Sequence, residues 1–219
     1  MRKIDKQQPP QLFTSWVKEK PTNINQNQRF EQLHEQHQWG IVSALRESLS
    51  AEQYYLCAYC CCSISGEQKD TMNEHVEARA LAPQRALDYS NIVASCKNLG
   101  QCDNAHKGKP LPLTPLMPEC ETELKFSISG RVKGMTTRAC VTIQTLNLGD
   151  TERNNRALIE KRKNIIQSLL FSEGLDPDDR ITLEDDDIVY LLIEELKNIE
   201  NGKLRPFSPV LINVVNNFK

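Results

Sequence analysis

Eight cysteines constrain this chain more than any other feature: Cys57, Cys60, Cys61, Cys62, Cys96, Cys102, Cys120 and Cys140. What they can do depends on the compartment. Met1 to Lys20 is polar and proline-bearing, with no charged start leading into an apolar stretch. No apolar run approaches the roughly 18 to 20 residues that a membrane-spanning helix needs. The chain therefore reads as cytoplasmic and membrane-free. In a reducing compartment a disulfide framework is disfavoured, and metal binding or catalysis is the usual alternative. Cys57 and Cys60 form a C-x2-C pair, and Cys96 and Cys102 a looser C-x5-C pair, with 35 residues between the pairs. Two such pairs supply the four thiolates of tetrahedral zinc, and a C-x2-C turn presents two sulfurs to one ion because the chain reverses between them. A structural zinc held by Cys57, Cys60, Cys96 and Cys102 is the expectation. Cys61 and Cys62 blur the first pair, since either could stand in as a ligand. Buried small hydrophobes and a redox dithiol at Cys57 and Cys60 are the competing readings. Cys120 and Cys140 have no partner in the pattern and are expected in the core.

The enclosed segment contains Glu74-His75 and Asp88-Tyr89-Ser90-Asn91, and the second pair is followed by Asp103-Asn104-Ala105-His106-Lys107-Gly108-Lys109. Alone, a His beside Glu is usually a satisfied pair, and Asn91 an ordinary turn residue. In this order the pattern resembles the zinc-bearing branch of the HNH nucleases, whose site is a ββα-metal finger. Asn91 precedes Cys96 by five residues, as in the family, and His75 precedes Asn91 by sixteen, close to the family's usual separation. Phosphodiester hydrolysis needs a base to activate water and a divalent cation to neutralise charge on the phosphate. His75 suits the base, because imidazole is partly neutral near pH 7. The resemblance implies that Glu74 takes the place of the family's metal-binding Asp, and that Asn91 fastens the loop and orients the His75 ring. For the second ligand to Mg²⁺ or Mn²⁺, register points to Asp103 and residue type to His106. On a helix the two share a face, so both can approach the metal. Lys107, Lys109, Arg79 and Arg85 are candidate phosphate contacts. His34 and His37, in a segment rich in Gln, Glu and Asn, are assigned to a solvated helix face.

The fold class expected is α+β: an HNH ββα-metal finger with a zinc knuckle, in a mainly helical chain with an extra β-hairpin. Residues 1–52 read as an extended N-terminal arm followed by helices broken near Gly40, and 53–112 as the nuclease core. Residues 113–150 read as a proline linker and a hairpin signalled by alternating Leu124, Phe126 and Ile128 before Ser129-Gly130. Residues 151–219 read as helical. Their first helix spans Thr151 to Leu170, with Leu158, Ile165, Ile166 and Leu169 inward and Arg153, Arg156, Lys161, Arg162 and Lys163 outward.

The net charge of −2 argues by itself against nucleic-acid binding. It is a cancellation. Residues 75–163 hold 14 Lys and Arg against 9 Asp and Glu, giving +5, whereas 171–200 hold 2 against 11, giving −9.

Further matches extend the resemblance over residues 1–165. They include Cys57-Ala58-Tyr59-Cys60, Pro118-x-Cys120-Glu121, Gly130-Arg131-Val132-Lys133-Gly134 and Leu146-Asn147-Leu148. Together they resemble the PtuB-type HNH effectors of Septu and retron-associated anti-phage systems. That membership implies a PtuA-like ATPase of ABC character as partner, a nucleic-acid substrate and, in the retron version, a reverse transcriptase with its RNA–DNA product. The acidic stretch from Asp176 to Glu195 is either a solvated helix face, or a docking surface for the ATPase or a shield over the nuclease groove until activation. The reading from a different class is a zinc-stabilised module that binds nucleic acid or a partner without cutting.

Overall fold

The computed structural model describes residues 1–19, 23–35, 38–151, 153–174 and 186–217. The N-terminal segment is not a free arm. Pro10 opens α1 (Gln11–Lys18) in extended geometry, where its missing N–H costs no hydrogen bond. Phe13 and Trp16, three residues apart, bury one face of α1. Met1 and Ile4 are buried ahead of it. Lys6 pairs with Glu52 and donates from Nζ to the Ile92 carbonyl at 2.7 Å, and Ile4 N donates to Pro115 O at 2.8 Å. Apolar side chains at both ends of this segment outweigh the extended preference of its prolines.

α2 (Gln26–Glu35) is followed by α3 (Trp39–Glu52), so the break falls before Gly40 and not at it. Val42, Leu45 and Leu49 of α3 face inward at helical spacing. They lie against β1 (Thr71–His75) and β2 (Ile92–Cys96), which pair antiparallel with His75 opposite Ile92 and Thr71 opposite Cys96. β2 is buried along its whole length. Its free edge therefore needs partners from elsewhere. Ala94 N donates to Gln53 Oε1 at 2.7 Å, while Ala94 O accepts from Gln53 Nε2 at 2.8 Å and from Ala58 N at 3.0 Å. One glutamine and one knuckle residue thus do the work of a third strand.

After β2 comes α4 (Asp103–His106), a single turn. The expected hairpin is present as β3 (Leu124–Phe126) and β4 (Val132–Gly134). α5 (Thr137–Leu146) follows, a helix the sequence reading lacked; its Thr and Val content favours strands, and only the Thr136 cap, accepting from Ala139 N at 3.2 Å, marks its start. α6 (Arg156–Ser172) begins later than expected because Asn155 caps it, accepting from Leu158 N at 3.2 Å. α7 (Asp186–Lys197) and α8 (Ser208–Asn216) complete the chain, and α8 packs on β3. The architecture is α+β. One apolar cluster runs from Met1 to Val215 and includes Leu113 of the proline-rich segment. No described helix is long and apolar enough to cross a membrane.

Two side chains lie opposite to expectation. Arg162 is fully buried, because Leu158, Arg162, Ile166 and Leu169 share the inward face of α6. Cys140 is exposed on α5, whereas Cys120 is buried as expected. His37 and residues 175–185 of the acidic stretch lie outside the described residues, as do the side chains of His34, Asp186 and Asp187.

The β3–β4 turn docks closely on α6. Gly130 has φ +79°, and a Cβ there would stand 2.2 Å from Ile159 O and 2.8 Å from Lys163 N. Gly130→Ala is expected to cost about 2 kcal/mol or more, since both the dihedral and the backbone approach are violated. A urea midpoint equal to the parent's would show that the docking has slack.

Candidate functional site

The knuckle forms where the chain leaves α3. Leu56 bridges Ser63, Cys57 N donates to Cys62 O at 2.8 Å, and Cys61 turns the chain with φ 63°. This reversal aims Cys57 and Cys60 the same way. Cys96 ends β2 and Cys102 precedes α4, again with a left-handed φ of 53°. The four sulfurs lie within 4.8 Å of one another and all four residues are buried. Among the described residues, this is the group of His, Cys, Asp and Glu side chains that converges in this way. Cys62 stands at the margin, half-buried, with Asn98 Nδ2 at 3.9 Å.

The extra length of the C-x5-C loop carries hydrogen-bond donors to the sulfurs. Asn98 Nδ2 reaches Cys96 Sγ at 3.4 Å, Gln101 Nε2 reaches Cys60 Sγ at 3.6 Å and Cys102 Sγ at 3.8 Å, and Cys96 N reaches Cys57 Sγ at 3.3 Å. Donors aimed at sulfur favour thiolates and orient metal ligands. The thiols do not share that charge evenly. Burial pushes Cys102 well up, with Cys57 and Cys60 adding to it, while the hydrogen bond from Cys102 brings Cys96 down to about 5. Four buried thiolates cannot coexist without a cation among them. Their number, softness and spacing fit a metal ion such as zinc.

Beside this centre lies a cleft of about 240 Å³, lined by Glu74, His75, Ala78, Arg79, Ala80, Asp103, His106, Lys107 and Gly108. Glu74 and His75 end β1, and Asp103 and His106 span α4. Lys107 and Gly108 follow with φ 46° and 80°, which stops α4 after one turn and folds the Lys109 carbonyl back toward His106. His106 Nε2 donates to that carbonyl at 2.6 Å, and its Nδ1 meets Glu74 Oε1 at 2.5 Å. Burial opposes the His106 imidazolium, but the Glu74 carboxylate outweighs it and raises its pKa. Burial first, and then the neighbouring Glu74 carboxylate, pushes Asp103 up to about 7. Both candidates for the second ligand thus approach the same carboxylate, although with Glu74 they do not close into a group as tight as the thiols.

His75 is held differently. Its Nε2 lies 3.0 Å from the Ala86 carbonyl. A carbonyl only accepts, so the proton sits on Nε2 and Nδ1 keeps its lone pair. Burial pulls His75 down to about 4, against the Ala86 hydrogen bond, so the ring is neutral. The Phe30 ring meets it edge-on at 4.7 Å. Asn91 does not touch this ring. Its Oδ1 accepts from Glu77 N at 2.8 Å and its Nδ2 donates to Glu77 O at 2.9 Å, closing the loop between the strands. The ring-orienting contact expected of Asn91 belongs to the Ala86 backbone, which no side-chain pattern can reveal.

The candidate phosphate contacts divide. Arg79 and Lys107 line the cleft. Lys109 contributes its carbonyl. Arg85 pairs with Glu77 at 2.7 Å and Asp88 at 2.9 Å and faces a separate hollow beside Gln26 and Val17, and Arg79 in turn pairs with Glu31 at 3.5 Å. Asn98 and Gln101 were missed, although amides between two cysteines are a readable signal.

Stoichiometric zinc is expected in the purified protein. Cys60→Ser and Cys102→Ser should each abolish it, while Cys140→Ser retains it; elemental analysis of the folded variants decides. No protein-family model matches this chain, and no curated protein matches it.

Proposed function

We propose that this chain is a metal-dependent endonuclease of the HNH type, hydrolysing phosphodiester bonds in nucleic acid, with Cys57, Cys60, Cys96 and Cys102 holding a structural zinc. The observation that carries the reading is one cleft containing a neutral histidine with a free Nδ1, a carboxylate flanked by two further ligand types, and two cations. Its order of antiparallel strands followed by a short helix supports a ββα-metal finger.

The roles follow from the atoms. Nδ1 of His75 takes a proton from the attacking water as the water oxygen bonds to phosphorus and the bond to the leaving oxygen breaks. The Ala86 carbonyl, already accepting from Nε2, stabilises the imidazolium that results. Arg79 and Lys107 hold the phosphate oxygens. Glu74 with Asp103 or His106 would hold Mg²⁺ or Mn²⁺, which supplies charge neutralisation at the phosphate and the leaving oxygen. His106 anchors Nε2 on the Lys109 carbonyl, as a metal-binding histidine commonly anchors its other nitrogen, and would ligate through Nδ1 once the ion displaces the proton that Glu74 favours there. Asn91 keeps the loop closed and acts on the site only through it.

The wider setting rests on the sequence resemblance. An anti-phage effector working with a PtuA-like ATPase, with or without a retron reverse transcriptase and its RNA–DNA product, is the proposed context. Holding the nuclease idle until such a partner engages suits a chain whose basic stretch is offset by an acidic one.

His75→Ala is expected to lower cleavage by about 10² to 10⁴-fold, measured on the reconstituted complex with phage DNA and cellular RNA, while Arg85→Ala stays near the parent rate. Chelation by EDTA should stop cleavage, and Mg²⁺ or Mn²⁺ restore it. Parent-level cutting by folded His75→Ala overturns the mechanism, and binding without any cleavage by the parent chain favours the non-catalytic module. Asp103→Asn and His106→Ala, compared for the Mg²⁺ concentration they require, separate the two candidates for the second ligand.

A further inference from the structure

α2 holds only two apolar side chains, Phe30 and Leu33, and its sequence alone would leave the rest of its surface to solvent. One face has other contacts. The helix starts at a reciprocal cap, in which Asn25 Oδ1 accepts from Gln28 N at 2.9 Å and Gln28 Oε1 accepts from Asn25 N at 3.0 Å. It is fixed in place by Arg29, whose Nη2 donates to Trp16 O of α1 at 3.0 Å, and by packing on the single turn Pro83–Arg85.

Asn27, Phe30 and Glu31 lie at i, i+3 and i+4 and therefore share one face of this anchored helix. All three meet Arg79. Its Nη1 donates to Asn27 Oδ1 at 2.9 Å and approaches Glu31 Oε1 at 3.5 Å, while the Phe30 ring lies 5.0 Å from the guanidinium carbon. Asn27 Nδ2 donates to the same Glu31 oxygen at 3.1 Å, which ties the two acceptors together. Phe30 also meets the His75 ring at 4.7 Å. One aromatic side chain thus sets the spacing between the histidine and the cation.

Both polar contacts of Arg79 fall on Nη1. Among the described residues, Nε and Nη2 have no partner. A guanidinium presents its donors in a rigid planar fork, and two of them side by side match two oxygens of a phosphate. A free arginine loses rotamer freedom when it grips such a ligand. Arg79 has lost that freedom already, half-buried in the wall of the cleft that contains His75. Stability is a poor reason for the arrangement, because a 3.5 Å pair with an exposed carboxylate contributes little.

We propose that the Asn27–Phe30–Glu31 face of α2 is a positioning element for Arg79: it fixes Nη1, covers one face of the guanidinium and presents Nε and Nη2 to two oxygens of a nucleic-acid phosphate beside His75. This rests on reading the cleft as a nuclease site. It extends that site beyond residues 53–112 to a helix whose composition carries no sign of it, and it makes the contact one to backbone phosphate, common to DNA and RNA.

The test is a double-mutant cycle in the full chain between Arg79→Ala and the pair Asn27→Ala with Glu31→Ala. Cleavage is read on the reconstituted complex, and binding by the fluorescence anisotropy of a labelled DNA duplex and a labelled RNA in Mg²⁺-free buffer. The α2 pair is expected to lower kcat/KM and to weaken binding, kcat/KM by about tenfold, and to change neither by more than about twofold once Arg79 is already alanine. Parental cleavage and binding by the folded α2 pair overturn the proposal. Faster cleavage also does, because α2 would then hold Arg79 away from the phosphate. So does an equal loss in the Arg79→Ala background, which assigns the effect to packing and not to Arg79. If the α2 pair does not fold, Asn27→Ala alone carries the same comparison with the same outcomes. A parent chain that binds without cleaving refutes the nuclease reading, and the cycle is then decided from binding alone; one that neither binds nor cleaves refutes both, and is distinguishable because no variant is needed to see it.

Discussion

The convergence of four cysteine sulfurs is the constraint on which the rest of the structure depends. It ties together three segments that local structure alone would leave apart: the knuckle after α3, the end of β2 and the start of α4. A two-stranded sheet is marginal on its own, and a one-turn helix has almost no intrinsic stability. Held by the sulfurs on one side and by the buried Gln53 amide on the other, β2 becomes a rigid platform. The cleft residues then inherit that rigidity, because Glu74 and His75 lie on the paired strand and Asp103 and His106 on the tethered turn.

Burial divides the ionisable groups of the cleft into different roles. His75, packed against Phe30 and anchored to a carbonyl, is neutral with one nitrogen free. His106, anchored to another carbonyl, faces a carboxylate and is biased toward the charged form. Two histidines with the same side chain thus present one proton acceptor and one cation-site candidate. Both rings place Nε2 on a backbone carbonyl, and the difference comes from Nδ1, which meets a carboxylate in His106 and, among the described residues, has no hydrogen-bond partner in His75.

Much of this was legible in the sequence because it rests on local spacing. The C-x2-C turn, the alternation before Ser129-Gly130 and the Glu74-His75 and Asp103-to-His106 elements each depend on a few neighbouring residues. What was misread depends on contacts between distant segments. Residues 1–19 looked extended because prolines dominate locally, but Met1, Ile4, Phe13 and Trp16 are claimed by a shared core. Arg162 looked solvent-facing because charge usually is, but its helical position places it beneath the Gly130 turn.

The sequence by itself determined the α+β class, the four candidate metal thiols and the identities of the side chains that meet in the cleft. It could do so because ligand chemistry and turn geometry are properties of residue type and short spacing. Only the tertiary structure decided which of Cys60, Cys61 and Cys62 joins the centre, which nitrogen of His75 is free, and which cations face the cleft. Those outcomes turn on backbone carbonyls such as those of Ala86 and Lys109 and on burial, and neither is encoded in any one residue's identity.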